Sequence, residues 1–198
     1  MQDAYEGRHV ATADVATAYL NAEMPDYVLL RIEGDTIDLV LEMNPSVRSG
    51  LITDASGKRV LIVVLNKALY GCVKSAMLWY DLFWSVLKGM GFELNPTDLC
   101  VANATINGKQ CTIGWYVDDN KISHVEPTVV RDVIRKIEDR FGKMTVCEGK
   151  SHVFLGMEIE FPGDGSVIID MRTYLQEAVR DSGLKIRRHN KTPTGNDF

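Results

Sequence analysis

The residues best suited to chemistry are Asp118 and Asp119, in the stretch Trp115-Tyr116-Val117-Asp118-Asp119. Cys111-Thr112-Ile113-Gly114 leads into them and Lys121-Ile122-Ser123 follows, so the pattern predicts strand, tight turn, strand, with the acids at the tip. Adjacent side chains on a regular strand point to opposite faces. In a turn both can be presented to one side. Two carboxylates held close together repel and raise each other's pKa unless a cation sits between them. All-oxygen ligands then point to a hard ion, Mg²⁺ or Mn²⁺. Asp-Asp is also a common polar turn, because aspartate favours turns. The dipeptide alone does not separate these two readings.

The acids need a scaffold, and the chain is long enough for one large domain, or one domain with an appendage. Hydrophobic content of 45% and charged content of 25% are those of an ordinary globule. The net charge of −5 argues against a nucleic-acid binder with a broad basic footprint. The charge is uneven, however, and Lys185, Arg187, Arg188 and Lys191 make the C-terminal end basic. The longest apolar run, Val60 to Leu65, is too short to span a membrane. The start of the chain carries no basic stretch followed by an apolar one, as a secretory signal would. Cys72, Cys100, Cys111 and Cys147 are widely spaced, the usage of reduced cysteines in an intracellular protein.

Taken in order, His9 to Val15 reads as a strand with Asp14 near its end, and Asp14 to Leu20 as a short helical or irregular piece. Tyr27 to Ile32, Ile37 to Leu41 and Arg59 to Leu65 read as strands, with turn residues at Asn44 to Ser49 and Asp54 to Lys58. A helix is predicted from Ser75 to Met90, with Trp79, Phe83, Val86, Leu87 and Met90 at helical spacing. Ser75 is its expected cap and Gly91 its stop. Asp98 to Thr105 and Gln110 to Val117 form a hairpin about Asn107-Gly108. Pro127 opens a second helix to Phe141, striped by Val130, Val133, Ile134 and Ile137. Strands at Val153 to Phe161 and Val167 to Asp170 flank a turn at Pro162 to Gly165, and a last helix covers Thr173 to Ser182.

With about 27–66 set aside as an insertion, the remainder reads strand, helix, strand, strand, helix, strand. That is the α+β, ferredoxin-like split βαβ order. Both helices pack on one face of an antiparallel sheet. Asp14 and the Asp118-Asp119 tip share the open face, which is left for a partner.

Four ordered stretches resemble the reverse transcriptase of copia-type long-terminal-repeat retrotransposons. They are Asp14-Val15-Ala16-Thr17-Ala18-Tyr19-Leu20-Asn21, then Lys67-Ala68-Leu69-Tyr70-Gly71 with Trp79-Tyr80, then Tyr116-Val117-Asp118-Asp119, then Phe154-Leu155-Gly156-Met157-Glu158-Ile159. Tyr174-Leu175 and Thr192-Pro193 resemble the family's continuation. The resemblance implies a polymerase palm in which Asp14, Asp118 and Asp119, with the Val15 carbonyl, hold two Mg²⁺ or Mn²⁺ ions. Such ions, roughly 3.5–4 Å apart, clamp the attacking and leaving oxygens of an in-line displacement. It implies that Tyr19 lies under the nucleotide sugar and rejects a 2′-hydroxyl, that Lys74 contacts the incoming nucleotide, and that Tyr116, Phe154, Leu155 and Gly156 hold the primer. Phe154 to Gly156 are expected on a strand that grips it. The implied partners are an RNA or DNA template-primer, deoxynucleoside triphosphates and other segments of the same polyprotein, with no membrane. The implied location is intracellular, in a cytoplasmic particle or the nucleus.

The sequence departs from the family in two places. Lys74 stands where a Gln normally seats the nucleotide, and Met77 where an Arg often stands. Only thirteen residues precede Asp14, where the family carries several dozen of a fingers segment. The expected division is a palm over residues 1–170, with a partial fingers insertion at about 27–66, and the start of a thumb with a basic tail over 171–198. The expected function is RNA-directed DNA polymerase. The alternative is a truncated or domesticated remnant that binds metal or nucleic acid weakly and does no catalysis.

Overall fold

In the computed structural model, which describes residues 1–183, a short helix α1 (Gln2–Tyr5) leads into strand β1 (His9–Asp14). Then come β2 (Leu29–Glu33), α2 (Thr36–Met43), β3 (Leu51–Thr53), β4 (Arg59–Val64) and α3 (Ser75–Gly89). The strands β5 (Glu93–Leu94), β6 (Val101–Ile106), β7 (Lys109–Tyr116) and β8 (Asp119–His124) precede α4 (Pro127–Phe141). The chain continues through β9 (Thr145–Glu148), β10 (Ser151–Phe154), β11 (Met157–Glu160), β12 (Ile168–Asp170) and α5 (Arg172–Asp181). The basic residues Lys185 to Lys191 and Thr192-Pro193 lie outside the described residues. No helix of the described residues is long and apolar enough to cross a membrane.

The main sheet has the order β5-β6-β7-β8-β1-β9 and is antiparallel throughout. Within it, β1, α3, β7, β8, α4 and β9 make the expected split βαβ unit. Its fourth strand is β9, however, and not Val153 to Phe161. That stretch folds back on itself as the β10–β11 hairpin of a second sheet, β10-β11-β12. Leu155 and Gly156 both have left-handed backbones, φ 53° and 74°, and so close a two-residue turn. Gly156 is needed for a further reason: a Cβ there would meet the Tyr174 ring of α5 at 3.0 Å.

Two more expectations are corrected. Ile37 to Leu41 is helical, because Ile37 and Leu41 are four apart and bury the same side of α2 against Leu61. Short apolar runs fit either period. Ser75 does not cap α3, since Lys74 holds that position. Ser75 is buried, and its hydroxyl accepts from the Leu69 amide and donates to the Leu69 carbonyl.

Alternation along β1 decides which face is core. Ala11 and Ala13, with Ile122 of β8 and Cys111, Ile113 and Trp115 of β7, face the helices. The small side chains of Ala11, Ala13 and Cys111 leave room for Trp79, Phe83 and Leu87 of α3 and for Val130, Val133, Ile134 and Ile137 of α4. Val10, Thr12 and Asp14 point the other way, beside Ser123, Lys121 and Asp119.

That second face is partly covered. At its far end α1 crosses it, with Asp3 paired to Lys121 and buried Arg8 bonded to Glu6 and Thr112. Beside α1, β10 packs on β1 through His152.

His152 is buried, with Nδ1 3.4 Å from the Thr12 hydroxyl and Nε2 3.0 Å from the Gly149 carbonyl. A neutral ring donating from Nε2 satisfies both. Burial pushes its pKa below the ordinary histidine value, the Gly149 carbonyl opposes this, and Lys121 adds to it. The unfolded chain therefore binds the proton more readily than the folded one. The stability tied to neutral His152 is complete above about pH 6.5 and is lost as pH falls through the lower folded value. Thermal melts from pH 7.5 to pH 5 should fall more steeply for the wild type than for His152→Gln. Parallel slopes would contradict this.

Candidate active site

The acidic turn is built on strain held by three hydrogen bonds. Val117 and Asp118 join β7 to β8, and Val117 has φ 55°. A β-branched residue there is a true outlier, at a cost on the order of 1–3 kcal/mol. The indole N–H of Trp79 donates to the Val117 carbonyl at 2.7 Å. The Asp118 carbonyl accepts from the Val15 amide at 3.1 Å and from Asn120 Nδ2 at 2.7 Å. Asn120 Nδ2 also reaches the Ala13 carbonyl at 3.2 Å, so one buried amide ties the turn to β1. The turn conformation thus depends on α3, β1 and β8 together.

This frame brings the three acids to one end of the sheet. Asp14 is directly opposite Asp119 in the β1–β8 register, a pairing that places Cα atoms about 4.5–5.5 Å apart. Asp118 lies in the adjoining turn, its backbone bonded to that of Val15. Asp14 is pushed above the usual aspartate range by burial and then by Asp118. Asp119 is pushed up by burial, then by Asp118 and Asp14, while the Leu155 backbone amide partly offsets them. The three acids therefore feel one another. They are the oxygen donors available to a divalent cation, although no three His, Cys, Asp or Glu side chains of the described residues already form a cluster that could hold one.

The other residues singled out from sequence fall around these acids to different degrees. Tyr116 is directly opposite Asp119 across β7 and β8 and is 61% exposed. Leu155 is at the tip of the β10–β11 hairpin, with its amide against Asp119. Phe154 ends β10 as the expected strand residue, whereas Leu155 and Gly156 form the turn and not a strand. Tyr19 is on a 3₁₀ turn, Ala18–Asn21, five residues after Asp14. Val15 is buried and presents its amide to Asp118. Lys74 stands apart from the acids in its bonding, for its ammonium pairs with Asp26 at 2.5 Å.

Sequence reasoning assigned no role to three residues that shape this site. Trp79 was read as core, which it is, but its N–H also holds the acidic turn. Asn120 carried a legible signal as a polar residue facing the helices next to the acids. Tyr70, inside the Lys67 to Gly71 stretch, packs on Tyr19 with ring centroids 4.3 Å apart and the rings tilted by 34°. Burial raises its hydroxyl pKa, and so do Asp118, Tyr19 and Asp14 in that order.

A family model described as reverse transcriptase (RNA-dependent DNA polymerase) matches residues 2–196. A putative transposon Ty5-1 protein of Saccharomyces cerevisiae is 22% identical over 183 residues, which is 92% of this chain and 53% of that protein. The chain thus spans about half the length of the curated relative it matches. Among solved structures, apo telomerase from Candida tropicalis aligns with 82% of this chain and 33% of its own, at 12% identity and a TM-score of 0.45. Telomerase from Candida albicans, in complex with a fragment of telomeric RNA, aligns with 83% of this chain and 32% of its own, at 15% identity and a TM-score of 0.41. With a family model covering nearly its whole length, the chain belongs to the reverse transcriptase (RNA-dependent DNA polymerase) family.

Proposed function

We propose that this chain is the palm of an RNA-directed DNA polymerase of copia type, one segment of a retrotransposon polyprotein, that adds deoxynucleotides to a primer 3′-hydroxyl. The observation that carries this reading is the placement of Asp14 opposite Asp119, with Asp118 in the turn beside them. The donor set fits a hard divalent ion. Mg²⁺ is ordinarily held by one or two carboxylates plus substrate phosphates, and not by a closed protein cage.

Asp14, Asp118 and Asp119, with the Val15 carbonyl, would hold two Mg²⁺ or Mn²⁺ ions. Bound there, the ions supply charge neutralisation at the attacking and leaving oxygens of an in-line displacement. The remaining work is positioning. Trp79 and Asn120 fix the turn that carries Asp118. The Leu155 amide orients Asp119. Tyr116, Phe154 at the end of β10 and the Leu155-Gly156 turn receive the primer end, so that its 3′-oxygen attacks the α-phosphorus and pyrophosphate departs. Tyr19 lies under the sugar and excludes a 2′-hydroxyl. Lys74 can reach a phosphate only by leaving Asp26. The template is RNA or DNA, and other segments of the polyprotein complete its grip.

Primer extension tests the reading. A net charge of −5 offers little to the phosphate backbone, which dominates affinity. The 198 residues alone are expected to extend a primed RNA template feebly in Mg²⁺ or Mn²⁺, and more strongly when joined to the upstream polyprotein sequence. Inactivity of the joined protein would favour the remnant reading.

A further inference from the structure

The two tyrosines come from segments that are zipped together. After Tyr19, the Ala22 amide closes the turn onto the Tyr19 carbonyl at 3.0 Å. Ala22 and Met24 then pair with the segment before Tyr70: the Ala68 amide donates to the Ala22 carbonyl at 2.9 Å, and the Met24 amide to the Asn66 carbonyl at 3.0 Å. Glu23 and Lys67 are paired in both backbone and side chain. On the other side of Tyr70, Ser75 and the Cys72 amide hold Leu69. Gly71, at φ 94°, lets the chain turn immediately after the ring. Ala22, Met24 and Ala68 form a small buried cluster beneath, against which Tyr19 packs. The backbone of Tyr70 is thus held beside Tyr19, while its side chain is 52% exposed.

We propose that Tyr70 is a specificity-determining residue: it buttresses Tyr19, and the two rings act as one wall beneath the sugar of the incoming nucleotide. The inference rests on the reading of Tyr19 as the residue that meets the sugar. A lone tyrosine on a 3₁₀ turn has two side-chain torsions to yield when a 2′-hydroxyl presses on it. A second ring at 4.3 Å and 34° blocks that retreat. The wall adjoins the acids, since Asp14 and Asp118 both act on the Tyr70 hydroxyl.

The test compares equilibrium binding of dGTP and GTP, by displacement of a fluorescent dGTP from the chain joined to the upstream polyprotein sequence, on a primed RNA template with Mn²⁺. Tyr70→Ala should lower the dGTP preference as far as Tyr19→Ala does, on the order of tenfold for a lost ring pair. The double variant should lose no more than either single one, because the residues act as a unit. Tyr70→Phe should keep the preference, since the ring and not the hydroxyl does the bracing. A preference that falls in Tyr19→Ala and stays in Tyr70→Ala overturns the inference and leaves the reading of Tyr19 standing. Loss of neither removes both. A second measurement needs no nucleotide: with fluorotyrosine incorporated, the ¹⁹F resonance of Tyr19 should shift on Tyr70→Ala, and an unmoved resonance overturns the bracing.

Discussion

Asp119→Asn is expected to abolish divalent-ion binding and to lower primer extension by about 10²–10³-fold, the usual cost of removing one group that stabilises developing charge. The fold should survive, because Asp119 is only partly buried and is already crowded. Its pKa is raised in the folded state, so in chelator the wild type carries a penalty that appears as pH rises through the ordinary aspartate value and on to the folded one. Asparagine carries no such penalty. The variant should therefore melt higher than the wild type at neutral pH, with the gain fading as the solution is acidified below the aspartate range. Loss of function with a gain in stability marks a residue kept for chemistry. Matching Mn²⁺ titrations for the two proteins would remove Asp119 from the site.

The other large effect is structural. Phe83 is completely buried and stands among three rings: Trp79 at 5.3 Å, Trp115 at 5.7 Å and Phe141 at 5.9 Å between centroids. Phe83→Ala removes a ring from the layer between α3 and the sheet, where the neighbours belong to three elements and cannot close in together. The expected cost is about 3–5 kcal/mol, a large share of the roughly 5–15 kcal/mol that holds a domain. Leu39→Ala is the control, since Leu39 is 61% exposed on α2 and should change stability by less than about 0.5 kcal/mol. Urea unfolding of both variants measures this. A loss below about 1 kcal/mol for Phe83→Ala would mean that the layer collapses around the gap.

How much of this was legible in sequence depended on range. The acidic tip, the Asn107-Gly108 hairpin and both long helices have local causes: a two-residue turn, left-handed residues and a 3.6-residue stripe. So they could be read. The strand β9 could not, because Thr145 to Glu148 are all exposed and show no alternation. The turn at Leu155-Gly156 hid inside an apolar run, since leucine rarely adopts a left-handed backbone. The approach of Asp14 to Asp118 and Asp119 followed from the order of elements. The packing of Tyr70 on Tyr19 did not, for it depends on pairing between Ala22 and Ala68 across the inserted segment.

The apolar residues do not form one mass. Ile37, Leu41 and Leu61 serve α2 and the small sheet of β2, β3 and β4, apart from the larger cluster beneath the acids. A segment with its own small core can open while its neighbour stays closed. Amides of β4 then have a route to solvent exchange that leaves β1 and β8 intact, and their protection in heavy water measures a smaller free energy than that of the strands carrying Asp14 and Asp119. The small sheet of β2, β3 and β4 can then breathe without disturbing the end of the main sheet that carries the acids.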